Sequence, residues 1–272
     1  MQRPTGLSDE PIRKSPEERT QDEADAMNQI QGRENEVDGY ECGECLNRGY
    51  RYYANGIYVT RADCECQTAR RSIRRMQKSG LGDLIHKYTF DRYRTDEEWQ
   101  KRVKETAAGF LKDDGTKWFY FGGASGAGKS HICTAICRNL LKTDAVHYMM
   151  WEDECPELKG LVTDAEAYQK RITRLKEIAV LYIDDFFSGR KTRNGEAIMP
   201  TGADVRLARE ILNHRYVNGK TTIISSEWYS MEVYEIDNAL GGRIVEMCGP
   251  HCLNVKRGAE KNYRLKMGGR ML

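Results

Sequence analysis

The sequence predicts an α/β fold, a parallel sheet with helices on both faces, preceded by a small cysteine-bearing module and a polar tail. Three observations lead there. From about residue 81, the short apolar or β-branched runs "KWFYFG", "AVHYMMW", "IAVLYID" and "TTIISSEW" alternate with stretches of helical period, as parallel strands joined by helical crossovers do. A glycine-rich loop, "GGASGAGKS", joins the first of these runs to a helical stretch. The third run ends in two carboxylates, "YIDD". No internal repeat interrupts the pattern.

Taken in order, residues 1–38 are rich in Glu, Asp, Arg, Gln and Asn and poor in aromatic and branched apolar residues, so a disordered tail is expected there. Residues 39–80 follow as a module of their own. Cys42 and Cys45 form C-x-x-C in "ECGEC", and Cys64 and Cys66 form C-x-C in "DCEC". Between the pairs, "GYRYYANGIYVTR" reads as a hairpin with an Asn-Gly turn. Two such knuckles match the four-thiolate structural zinc pattern, with the second pair one residue short of the usual spacing. A closed site of this kind has no open position for chemistry. Its zinc contributes folding energy that so few apolar residues could not. "QTARRSIRRMQKSG" then carries Arg70, Arg71, Arg74, Arg75 and Lys78 with no acid before a glycine stop, and reads as a short basic helix.

The remaining residues, 81–272, form the nucleotide-binding core. Gly123, Ala124, Ser125, Gly126, Ala127, Gly128, Lys129 and Ser130 fit G-x-x-x-x-G-K-[ST] between a strand and a helix. The glycines let backbone N–H groups wrap phosphate oxygens, Lys129 reaches the β and γ phosphates, and the Ser130 hydroxyl ligates magnesium. About fifty residues on, Asp184 is placed to hold that magnesium through water and Asp185 to polarise the attacking water. The two motifs together predict binding of a magnesium–nucleoside triphosphate, with hydrolysis. Cys133, Cys137, Cys155, Cys248 and Cys252 read as core thiols, and no histidine has a nucleophile partner that would support covalent catalysis.

Composition bounds the setting. The chain has 272 residues, 39% of them hydrophobic, and a net charge of +2 that conceals an acidic start and basic patches further on. No apolar run approaches the roughly 18 residues of a membrane span, and the start lacks a signal peptide's apolar stretch. A cytoplasmic protein is expected, in which nine cysteines serve as metal ligands or buried thiols rather than disulfides.

The chain resembles the bacterial and phage replicative-helicase loaders of the DnaC/DnaI type, in the IstB-like branch of AAA+ ATPases. The residues that carry the resemblance are "ECGECLNRGY" with "DCEC", "RRSIRRMQKSGL", "YTFDRY", "GGASGAGKSH", "LYIDDFF", "ILNHRYVNGKTTIISSEW", "EIDNALGGRI" and "KNYR", in that order. The resemblance implies an AAA+ P-loop core in which ATP sits between subunits of a homo-oligomer. Its partners would be a hexameric replicative DNA helicase and single-stranded DNA, with no membrane. It further implies Arg243 as an arginine finger for a neighbour's γ phosphate and Arg264 as a sensor within the same subunit. In such ATPases the strand after "NHRYVNGK" ends in Asn, which orients the attacking water. Here Ser225, Ser226 and Glu227 stand there, with Glu227 at the matching position and Ser226 as a possible substitute. An ionised carboxylate cannot donate a hydrogen bond, so hydrolysis is expected to be slow or differently timed. The loop "SGRKTRNG", with Arg190, Lys191 and Arg193, is a second candidate for DNA contact after the basic helix. The competing functions are a transposition helper ATPase, a nucleic-acid-binding module with weak ATPase, and a P-loop small-molecule kinase.

Overall fold

A computed structural model describes residues 14–78, 82–115, 117–188 and 198–263. The chain divides into two compact units, residues 1–67 and 68–272, so the division falls inside the basic helix rather than after residue 80.

The first unit holds α1 (Pro16–Asn28), α2 (Glu34–Asp38), β1 (Tyr50–Asn55) and β2 (Tyr58–Asp63). The tail expected over residues 1–38 is therefore helical over much of its described length. Local and long-range polar bonds do what apolar burial could not. Ser15 and Glu18 form a reciprocal capping box with Pro16 at the first helical position. At the other end the buried Arg48 guanidinium donates to the carbonyls of Met27 and Asn28, two of the orphan acceptors of a helix C-terminus. Asn28 completes the attachment: its side chain donates to Tyr52 O at 2.7 Å and accepts from Tyr52 N at 3.0 Å, continuing the sheet's bonding on β1. The strands β1 and β2 pair antiparallel from Tyr50↔Asp63 to Asn55↔Tyr58. The turn is thus Gly56–Ile57, one residue later than expected, with Gly56 at φ +60°.

From the boundary onward come α3 (Cys66–Lys78), α4 (Gly82–Lys87), α5 (Glu98–Phe110), β3 (Trp118–Gly123), α6 (Lys129–Leu140), β4 (Val146–Met150) and α7 (Trp151–Gly160). These are followed by α8 (Ala165–Glu177), β5 (Val180–Asp184), α9 (Gly202–Val217), β6 (Thr221–Ser226), α10 (Ser230–Ile236), α11 (Asn238–Cys248) and β7 (Cys252–Val255). The five strands β3 to β7 form one parallel sheet in the order β4-β5-β6-β3-β7. Every residue of β3 and β5 is buried, as central strands covered on both faces require. Alternation sends Trp118 and Tyr120 into a core shared with Ile172, Ile211 and Ile244 of α8, α9 and α11. Phe119, on the opposite phase, meets Phe110 of α5. Cys133 and Cys137 are buried on α6, in the packing role expected of them.

A single buried cation ties α8, α9 and the sheet together. Arg215 of α9 is fully buried and donates to the carbonyls of Leu175, Lys176, Ile178 and Ala179, to Thr221 O and to Thr222 Oγ1. Burial lowers its pKa to about 9. Arg215→Met keeps the stem but strands these carbonyls away from water. At about 1–3 kcal/mol per unsatisfied group, relieved in part by repacking, a loss of roughly 3 kcal/mol is expected. Thermal unfolding should read it as a fall in Tm of roughly 6–12 °C.

Candidate functional site

The C-terminal ends of the parallel strands gather the predicted nucleotide residues at one edge, because β3, β5 and β6 are neighbours in register. The loop after β3 runs directly into α6, whose first residue is Lys129. Its glycines are needed where they stand. Gly123 has φ +104°, and a Cβ there would lie 2.1 Å from Val255 O; Gly126 has φ +71°, and a Cβ there would lie 2.1 Å from Asn262 Oδ1. The loop is anchored by Ala124 N donating to Val255 O at 3.0 Å, and Tyr263 N donates to Gly126 O at 3.1 Å. Lys129 folds back over the loop, donating to Gly123 O at 3.2 Å and Ala124 O at 2.9 Å. Burial pulls its pKa down, while the carboxylates of Asp185, Glu227 and Asp184 pull it up.

Asp184 ends β5 and is almost wholly buried. Its Oδ1 accepts from Ser130 Oγ at 3.1 Å, Tyr182 OH at 2.7 Å and Ser225 Oγ, and its Oδ2 accepts from Tyr148 OH at 3.1 Å. Ser130 and Asp184 are therefore juxtaposed as a pair of hard oxygen donors, the set that suits magnesium. Asp185 takes a left-handed backbone, φ +51°, which turns the chain sharply off the strand and leaves the carboxyl on the wall of the cleft. Burial, and then the charge of Asp184, raises its pKa to about 6.

Glu227 follows β6 and lines the same cleft as Asp185 and Lys129. The cleft encloses about 520 Å³. Ser226 does not substitute for a water-orienting amide: its hydroxyl donates to Phe186 O at 2.7 Å and accepts from Trp228 N at 3.0 Å. Ser225, one residue earlier and on the other face of the strand, is the serine that reaches the acidic pair. It also accepts from Asp185 N at 3.1 Å. Arg257 holds the turn that carries Glu227, donating to Glu227 O at 2.7 Å and to both oxygens of Glu232 while stacking 4.4 Å over Tyr229.

The mouth of the cleft is aromatic and basic. Tyr88 stacks on His131 at 4.6 Å and Tyr93 meets that ring edge-on, with His131 Nε2 2.9 Å from Thr89 O. Tyr93 OH donates to Ala127 O at 3.2 Å, which ties the segment before α5 to the phosphate loop. Across the opening, Lys261 lies 5.1 Å over Trp99 and Arg94 lies 4.9 Å over Tyr263. "YTFDRY" held Tyr88 and Tyr93 and "KNYR" held Lys261 and Tyr263 in the sequence, but nothing local announced that both stretches would border the loop.

Arg243, on α11, stands apart from this cleft. It donates to Asn213 Oδ1 at 2.7 Å and lies 5.4 Å over Tyr216, half-buried and outside the cleft's lining. Arg264, Arg190, Lys191 and Arg193 lie outside the described residues. On the basic helix Arg70 is fully buried, so its guanidinium does not face solvent as a phosphate contact would; Arg71 is exposed.

In the first unit the four thiols Cys42, Cys45, Cys64 and Cys66 converge, all within 4.8 Å of one another. Cys42 and Cys64 are 3.9 Å apart and Cys45 and Cys66 3.6 Å, while the edge of a tetrahedron with ~2.3 Å zinc–sulfur bonds is ~3.8 Å. The knuckle is shaped for it. Leu46 and Asn47 are left-handed, Asn47 Oδ1 accepts from Cys42 N at 2.8 Å, and Cys45 Sγ accepts from Gly49 N at 3.3 Å. Burial opposes ionisation of Cys45, but the Gly49 N–H and the adjoining thiols outweigh it and bring the pKa to about 7. The shortened C-x-C spacing is accommodated because Cys66 opens α3.

No protein-family model matches the chain. It is 30% identical over 247 residues to the phage-like element PBSX protein XkdC of Bacillus subtilis, covering 86% of this chain and 89% of that protein. It is 32% identical over 213 residues to the uncharacterized protein YqaM of the same organism, covering 74% of this chain and 66% of YqaM. Among solved structures, a DnaC helicase loader superposes with a TM-score of 0.50 at 20% identity, over 63% of this chain and 97% of that one. The fold is that of an AAA+ P-loop domain. Among the described residues, no helix is long and apolar enough to cross a membrane.

The thiolate cluster makes a direct prediction. The purified chain should carry about one zinc per molecule, and stripping it with a chelator should speed amide exchange over residues 16–66 while leaving nucleotide affinity unchanged within about twofold. Metal analysis and hydrogen exchange check it, and a chain free of zinc with unchanged protection would refute it.

Proposed function

The chain belongs to the family of the phage-like element protein XkdC, and on that premise we propose that it is an AAA+ ATPase that loads a ring-shaped replicative helicase onto single-stranded DNA. The observation that supports this reading best is a four-thiol unit and a P-loop ATPase unit joined in one chain, in the order that the resemblance to DnaC/DnaI-type loaders calls for. In residues 1–67 acidic residues outnumber basic ones, and in residues 68–272 the reverse holds. That division suits contact with DNA phosphates by the ATPase unit and contact with a protein partner by the cysteine unit.

On this reading ATP enters the cleft beside Lys129, whose ammonium exchanges the carbonyls of Gly123 and Ala124 for phosphate oxygens. Gly126 and Gly128 leave the loop's N–H groups and the start of α6 open to the anion. Ser130 and Asp184 would hold magnesium, which supplies charge neutralisation at the phosphates when bound. Asp185 takes the proton of the attacking water. Glu227 stands beside it where the resemblance calls for a donating amide, which favours slow turnover paced by assembly. Arg243, outside the lining of its own cleft, would act as the arginine finger for a neighbouring subunit's site in a homo-oligomer.

Two outcomes test the proposal. The cognate replicative helicase should co-purify with the chain, and single-stranded DNA should stimulate ATP turnover; duplex DNA with a transposase doing so instead would favour the transposition reading. Because Asp185 is neutral below a pKa raised to about 6, turnover should rise with pH through that value and level off above it. Asp185→Asn should abolish the rise while sparing ATP binding, as steady-state assays across pH 5–8 and a nucleotide titration would show.

A further inference from the structure

We propose that Tyr148, Tyr182 and Ser225 are positioning residues for magnesium, holding the Asp184 carboxylate in its metal-binding orientation before any metal arrives. The inference rests on the reading that Asp184 stands at the magnesium subsite.

The arrangement follows from sheet register. β4 and β5 pair with Tyr148 opposite Tyr182 and Met150 opposite Asp184, and β5 pairs with β6 at Ile183↔Ile224. With side chains alternating, Tyr148, Tyr182, Asp184 and Ser225 all fall on one face of three adjacent strands. The two phenol rings pack against each other at 5.3 Å, so each limits where the other's hydroxyl can point. Both hydroxyls end on the same carboxylate, at 2.7 Å to Oδ1 and 3.1 Å to Oδ2.

The chemistry of the donors separates them from ordinary ion pairing. The bonds to this buried carboxylate come from hydroxyls, which donate without bringing a charge of their own. Oδ1 accepts three of the bonds and Oδ2 one. Spare lone-pair capacity therefore lies on Oδ2. Of the four donors, only Ser130 belongs to the phosphate loop's helix. With the Ser130 hydroxyl released to a metal, the three strand-borne hydroxyls would still keep the carboxylate from rotating. Ser225 adds a second constraint, since it also accepts from the Asp185 N–H.

The test is nucleotide affinity measured with a fluorescent ATP analogue against free Mg²⁺, from EDTA to millimolar, for the full chain. Wild type should bind more tightly as Mg²⁺ rises. Tyr182→Phe and Tyr148→Phe should each move the Mg²⁺ midpoint up by roughly 10-fold, as loss of a metal site's outer partner does, while affinity in EDTA stays within about twofold. Ser225→Ala, on a third strand, should do the same and stands in if a phenylalanine variant does not fold. Midpoints that stay at the wild-type value, or an affinity in EDTA that falls in parallel, would overturn the inference. Asp184→Asn separates the two levels: if it keeps the full Mg²⁺ enhancement, the magnesium role of Asp184 itself is wrong.

Discussion

The pairing of β5 between β4 and β6 is the constraint on which the rest of the ATPase unit depends. It places a carboxylate at a strand end beside a phosphate loop that leaves β3, on the far side of β6, and the cost of burying that charge sets what surrounds it. Hydroxyls from β4, β5, β6 and α6 meet that cost. Arg215 does the corresponding work at the opposite ends of the strands, where it collects the carbonyls at the end of α8 and the start of β6. Between these two polar anchors the sheet is filled by alternating aromatic and branched side chains, a core that needs no further specification.

The first unit solves a different problem. It has too little apolar surface to fold on burial alone, and it uses directed bonds instead. Four thiols meet at tetrahedral spacing, and Arg48 reaches from beside that knuckle to the end of α1. The knuckle, the hairpin and the first helix are thereby one hydrogen-bonded object. This is why a segment composed like a disordered tail is ordered over Pro16–Asn28. The capping box in "SPEE" was present in the sequence, but a cap stabilises a helix end by only about 1 kcal/mol and cannot by itself say that the helix has somewhere to dock.

Glu227 illustrates how position changes meaning. In the sequence it is a departure from an expected amide. In the structure it shares a cleft wall with Asp185 and acts on the same lysine, while Arg257 fixes the turn beneath it. Burial and the charge of Asp184 raise the pKa of Asp185, Lys129 opposes them, and Glu227 adds a smaller push in the same direction as Asp184. Two residues earlier, Ser225 contacts the acidic pair through the backbone N–H of Asp185 and the carboxylate of Asp184.

What the sequence by itself determined are the features written in contiguous residues: the phosphate loop, the acidic strand end, the two cysteine pairs and the alternation that specifies a parallel sheet. Their geometry is local, since a few adjacent φ/ψ angles and one strand-loop-helix turn suffice to build each of them. Only the tertiary structure decided that Tyr148 and Ser225 join Asp184, that Tyr88 and Tyr263 border one cleft, that Arg70 is buried, and that Arg48 closes α1. Each of these depends on strand order or on a contact between segments far apart in the chain. A one-residue change of register would turn the same side chains to the opposite face.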